Sequence, residues 1–501
     1  MPCDAYRAPV DTLARQWEPV PWLMRSWRHA APDPALRVQP QLIDAMKAYP
    51  GVPKSLVPGT LTRYEKGQFT PPLPIVSALE QIVGLTAGEI SSYLPDDKYD
   101  TTSRSDQWDL LGRADTADVA PLSGRDWLAL ARLITTGPPQ SPERTSFWAH
   151  LLVSEMSRSI GAGYRFRIRA LELLAADPVI AGPVEDAVRD HLAACGHTVI
   201  GDALAALTDV QHPHGFLLAL DTYRQLDGSA LEAVAYVLAV DLRRDRDRLD
   251  QWDQIKRVVR DDVTSGADDR RLAALIVAGS FQPLRLYELL MPLSEAQRKL
   301  IRSSIANSRS KTLSLADARA MRKDAAKLAR GVAAGVTPRL PDGLGVWLER
   351  LLIDGADPFT AALVIASSPY SHAVSHAVEA SVLSPKAAGP LGTGCPFPYA
   401  PVALGSCQRQ DPETLAAAYR DGAVADKQRL LVPLAHHRAF PAEIDLTTAI
   451  RETGSPSRVI YAAGMSDHPG LVELDGADIS TDLKRAAQWW SEGPNQHAMD
   501  R

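Results

Sequence analysis

Between about residues 122 and 240 the apolar residues of this chain recur at helical spacing, interrupted only by short Gly, Pro or Asp breaks, and strand-like alternation is nearly absent. In LSGRDWLALARLITT (122–136), Trp127, Leu128, Leu130, Leu133 and Ile134 share one helical face, and Gly137-Pro138-Pro139 stops the run. Ser141 is the expected N-cap of the next helix, with Pro142 at its first position. From Phe166 to Val240 the pattern is helix, short break, helix, with Ala-rich seams. A chain written this way folds as all-α. Helix pairs that bury their faces only against neighbouring pairs form a HEAT/TPR-like repeat body. No fixed period emerges, so an irregular helical bundle stays open beside the repeat reading. Ser314 and Asp317 form a capping box that opens a further helix. The Gly/Pro-rich stretch 386–406 is not helical in pattern, and helices are expected again from Asp411-Pro412 and over 481–490, which ends in Trp489-Trp490.

With 45% hydrophobic and 23% charged residues over 501 positions, a largely disordered chain is excluded. No run of about 18 apolar residues occurs, and no basic segment followed by an apolar one opens the chain, so neither a membrane span nor a secretory signal is expected. Cys3, Cys195, Cys395 and Cys407 form no C-x-x-C pair, a usage that fits a reducing compartment. A cytoplasmic protein is the expectation. The net charge of −6 argues on average against nonspecific adhesion to polyanions, yet it hides two basic islands. Over 20–70, seven cations (Arg25, Arg28, Arg37, Lys47, Lys54, Arg63, Lys66) face three anions. Over 298–330, ten cations, among them Arg319, Arg322, Lys323, Lys327 and Arg330, face only Asp317 and Asp324. Such an island is either a footprint for a polyanion or a solvated helix face.

The segment 57–90, VPGTLTRYEKGQFTPPLPIVSALEQIVGLTAGEI, carries the most local information. Its pattern predicts a helix over 60–66 with Leu61 and Tyr64 inward and Thr62, Arg63 and Lys66 outward. Gly67 then stands where a left-handed residue ends a helix. Pro72 or Pro74 opens the next helix, and Thr86 with Glu89 reads as the capping box of a third. Short helices, tight turns and a polar, basic outward face are the design of a helix-turn-helix reader.

These residues resemble the second half of the Cro/C1-type (lambda-repressor-like) helix-turn-helix domain of the xenobiotic-response-element (XRE) regulator family, over about one seventh of the chain. The resemblance implies a first helix over 22–29, a second over 39–48 and a recognition helix that includes Arg63. The chain departs from the family at 49–59, where several residues are inserted and Val57, Pro58 and Gly59 offer no side-chain hydrogen bond to a base. Base readout falls to Thr60 and Arg63, and Lys54, Ser55, Thr62, Lys66 and Gln68 suit phosphates. Arg63 either grips a guanine bidentately or pairs with a neighbouring carboxylate.

Other chemistry is sparse. His372 and His376 stand at i, i+4, a metal-ligand spacing, but no H-E-x-x-H pattern accompanies them, and two helical histidines are the plainer reading. His212-Pro213-His214 reads as a loop. No phosphate-cradling GK[ST] run and no G-x-S-x-G elbow occurs, so no enzyme, metal or cofactor is expected. Trp17, Trp22 and Trp27, five residues apart, suit core packing or a dimer contact better than base stacking. The expected organisation is a helix-turn-helix domain at 20–94, a linker at 95–121, a helical-repeat domain at 122–385, and a Gly/Pro-rich loop with a C-terminal helical segment at 386–501. The expected function is transcriptional regulation on double-stranded DNA as a homodimer, with the body responding to a small-molecule, peptide or protein effector. A helical scaffold whose N-terminal domain does not read DNA is the alternative.

Overall fold

The computed structural model describes residues 18–99, 104–118, 120–194, 215–226, 252–265, 267–280, 283–299, 343–351, 358–382 and 411–492, with single residues and short pieces at 203–242, 301–302 and 330–332. Every regular element among them is a helix, as the spacing of apolar residues predicts. Among the described residues no helix is long and apolar enough to cross a membrane.

The N-terminal module consists of α1 (Pro19–Ala30), α2 (Gln39–Met46), α3 (Pro58–Glu65) and α4 (Leu73–Ile82). α1 packs on α3, and α2 packs on both α3 and α4. Pro72 lies outside α4 as its N-cap and Pro74 lies in its first turn, so both prolines serve the start. The helix expected from Thr86 is absent; a turn and a short 3₁₀ helix, Ser91–Tyr93, stand in its place. Glu80, buried on α4, is the cause. Its carboxylate accepts from the backbone N–H of Gly88 (3.3 Å), Ile90 (2.7 Å) and Ser91 (2.6 Å), and capture of those donors holds the chain in a tighter path. Burial raises the pKa of this carboxyl, against the pull of the hydrogen bonds that favour its anion.

In the stretch expected to be a linker, several described residues are packed. A 3₁₀ helix, Asp96–Tyr99, leads to α5 (Arg104–Ala114). Tyr99 is buried edge-on against Phe166 at 5.5 Å, and Leu110, Leu111, Ala114 and Ala117 join the main core. A few well-spaced apolar residues suffice to anchor a segment whose composition is otherwise polar.

The body continues with α6 (Gly124–Thr136), α7 (Pro142–Ser157), α8 (Gly161–Ala176) and α9 (Ala181–Ala194). Ser123 and Ser141 cap α6 and α7, accepting from the N–H of Asp126 and Arg144. α6 packs on α8 and α7 on α9, while α8 touches both α7 and α9. A buried ion pair ties the layers: Glu155 on α7 accepts from Trp127 Nε1 of α6 (2.6 Å) and from Arg167 Nε of α8 (3.1 Å). Further helices are α10 (Gly215–Gln225), α11 (Trp252–Ser265), α12 (Asp268–Ser280), α13 (Pro283–Leu290), α14 (Leu344–Glu349), α15 (Pro358–Ala366) and α16 (Ser371–Val382).

One continuous core of buried side chains runs from Val20 to Val374. It includes Trp22 of α1, wholly buried, which lies 5.8 Å from Trp347 of α14 and is stacked on Tyr370 at 6.0 Å. Trp27 of the same helix donates its indole N–H to the Ser367 carbonyl at 2.8 Å. The N-terminal module is therefore seated on the body through α1.

A second core belongs to α17 (Pro412–Asp421), α18 (Val424–His437), α19 (Leu446–Thr453), α20 (Pro456–Met465) and α21 (Thr481–Glu492). Gly464 is required where α20 meets α21, because a Cβ there would stand 2.1 Å from the Trp490 ring. The Arg158 guanidinium, at the end of α7, lies 3.9 Å from the Trp489 ring centroid and donates to its carbonyl at 2.5 Å, which joins the two cores.

Candidate nucleic-acid interface

α3 begins at Pro58, whose fixed φ suits a first helical position, after Val57 in extended backbone with no side-chain cap. The insertion that precedes it is ordered: Val52 and Leu56 are buried, and Gly51 turns the chain at φ +77. Within α3, Leu61 and Glu65 at i, i+4 face inward, and Arg63 faces solvent. The helix ends as expected at Gly67, φ +67.

Glu65, only 4% exposed, is the residue on which the module turns. It receives the Arg28 guanidinium of α1 through Nε (2.5 Å) and a second nitrogen (2.8 Å), and Gln39 of α2 donates to it at 3.2 Å. Thr62 closes the chain of bonds by donating to Gln39 Oε1 at 3.2 Å. The Arg28 guanidinium also reaches the Arg37 carbonyl at 2.9 Å and His29 Nε2 at 3.2 Å. Burial, reinforced by the Arg28 charge, lowers the pKa of His29, which keeps that ring neutral as an acceptor. This network of three helices locks α3 in place. Arg28 and Glu65 were not singled out for it by the sequence reading. The signal was present in the i, i+4 spacing of Leu61 and Glu65.

The candidate contact residues divide accordingly. Lys54, Ser55, Arg63, Lys66 and Gln68 are exposed; Thr60 is half-buried in the first turn of α3. Lys54 bends back to the Lys47 carbonyl. Thr62 is half-buried with its hydroxyl engaged by Gln39, so it belongs to the inner network as much as to the surface. Among the described residues Arg63 pairs with no carboxylate. Its guanidinium lies 5.8 Å from the ring centroid of Phe69, which sequence reading passed over. The only acid between residues 47 and 70 is Glu65, and it is turned inward. The outward face consequently keeps Lys54, Arg63 and Lys66 without a neighbouring anion of its own segment.

In the second basic island, Arg319, Arg322, Lys323 and Lys327 lie outside the described residues; Arg330 is exposed. Of the histidine pair, His372 is exposed on α16, whereas the side chain of His376 lies outside the described residues, as do the four cysteines and the 212–214 loop. Among the described residues no three His, Cys, Asp or Glu side chains are grouped to hold a metal ion. Comparison with protein-family models, with curated proteins and with solved structures finds no match to this chain.

Proposed function

We propose that the chain is a DNA-binding transcriptional regulator resembling the XRE type, with α3 as the recognition helix and a helical-repeat body that responds to an effector. The observation that carries this reading is the inward turn of Glu65, which leaves the exposed side of α3 and its flanks cationic while fixing the helix rigidly. A rigid helix with a cationic outward side is what a major groove accepts. Arg63 supplies a bidentate donor for guanine, and Lys54, Ser55, Lys66 and Gln68 supply phosphate contacts. Two copies acting as a homodimer on half-sites one helical turn apart give affinity that a single small module lacks. Because α1 is seated through Trp22 on Trp347 of α14 and on Tyr370, just before α16, an effector bound to the body acts by changing the placement of the whole module, and it needs different affinities for the two arrangements.

A genome-wide DNA pull-down with the purified protein beside Arg63→Ala, at near-physiological salt, tests the proposal. Enrichment of a short shared sequence that is lost in the variant supports it. No enrichment by either protein rejects it in favour of the scaffold reading, which draws on the same burial of α1 in the body. A binder that acts by charge alone loses affinity uniformly as salt rises and shows no sequence preference.

A further inference from the structure

Phe69 is 55% exposed, close in sequence to the exposed Arg63, Lys66 and Gln68. The chain holds it there by design of the α3 terminus. The Gly67 N–H donates to the Tyr64 carbonyl at 3.0 Å and the Gln68 N–H to the Arg63 carbonyl at 2.9 Å. That pair of bonds about a left-handed glycine folds the chain back over the last turn of the helix. Phe69 thereby comes to lie beside Arg63, with the guanidinium carbon 5.8 Å from the ring centroid. The two side chains restrain each other on the surface, so less freedom is lost when either is bound.

Resting on the DNA-reading proposal above, we infer that Arg63 and Phe69 together read a thymine beside a guanine in duplex DNA. The guanidinium donates to O6 and N7 of the guanine, and the ring packs on the C5-methyl of the thymine. Thymine is the one base with a methyl group in the major groove, so an apolar side chain placed there selects it. The 5.8 Å separation is less than two base-pair steps of ~3.4 Å each, so the two side chains lie close enough together to touch neighbouring pairs. An exposed ring is equally able to stack on an unpaired base, but a guanidinium lying beside the ring, with Lys66 exposed three residues before it in sequence, favours a duplex edge.

The test uses the full-length protein and the sequence enriched in the pull-down. Each thymine is replaced in turn by deoxyuridine, which removes only the methyl group, and affinity is read by fluorescence anisotropy. At one thymine next to the Arg63-dependent guanine, the replacement weakens binding by the wild type about fourfold. In Phe69→Ala the same replacement has no effect, and Phe69→Leu keeps part of it. The exposure of Phe69 leaves the fold of both variants intact, which circular dichroism checks. A site indifferent to every deoxyuridine, or an equal loss in Phe69→Ala, overturns the inference while leaving the regulator reading standing. Binding to single strands with no methyl dependence also overturns it. Failure to enrich any sequence rejects the regulator reading, and this inference with it.

Discussion

Replacing Trp22 by Ala tests whether the N-terminal module and the body are one cooperative structure. The indole is wholly buried between α1 and the α14–α16 region, against Trp347 and Tyr370. Truncating a buried Trp to Ala costs about 3–5 kcal/mol, from lost burial and the cavity left behind. That is a large share of the ~5–15 kcal/mol by which a folded domain is stable. In a chain of 501 residues a single global transition is a poor assay, so native-state amide hydrogen exchange is the better one, since it reads opening free energies segment by segment. Protection should fall by about two to three and a half powers of ten, the same free energy, in α1 and also in α16, some 350 residues away in sequence. A cycle with Trp22→Leu and Tyr370→Leu isolates the stacking itself, for which a coupling of about 0.5–1.5 kcal/mol is expected. If exchange in α16 is unchanged by Trp22→Ala and the two leucine substitutions are additive, the module is an independent head and the seating argument fails.

Glu65→Gln leaves the Arg28 guanidinium buried without its counter-charge, and should destabilise α1–α3 by about 3–5 kcal/mol. Replacing both partners by Met should cost less than replacing Glu65 alone; thermal melts of the three variants decide it, and equal losses would count against a charge-based lock. His191 of α9 is buried against Trp489 and bonded to the Ser157 hydroxyl at 2.9 Å. Burial, followed by the Arg158 charge, lowers its pKa from 6.5 to about 4. A depressed histidine contributes stability that is complete above pH 6.5 and is lost as pH falls through that value toward 4, in all ~3 kcal/mol. Denaturation midpoints at pH 7.5 and 4.5 should therefore differ more in the wild type than in His191→Phe, and an identical pH dependence in the two proteins refutes the assignment.

The helical class, the cap at Ser141, the helix start at Asp411-Pro412, the stop at Gly67 and the exposure of Arg63 and Lys66 were legible in the sequence, because each depends on spacing and on residues within one turn of one another. Local pattern left core packing or a dimer contact open for Trp22 and Trp27, and gave no partner for either; both are buried. Tertiary contact alone decided the rest. Glu80, near the end of α4, takes the backbone donors of the segment that follows, and a turn and a 3₁₀ helix stand where the Thr86–Glu89 spacing predicts a helix. Tyr99, Leu110 and Leu111 turned a polar stretch into part of the core, since burial depends on what lies opposite and not on average composition. The inward course of Glu65 depended on Arg28, which stands 37 positions earlier and becomes its neighbour only when α1 crosses α3. The seating of α1 on the body joins Trp22 to Trp347 and Tyr370, partners so distant along the chain that no local periodicity encodes their meeting. Sequence determines which side of a helix is apolar or charged; only the folded chain brings to that side the partner that buries the apolar surface or neutralises the charge.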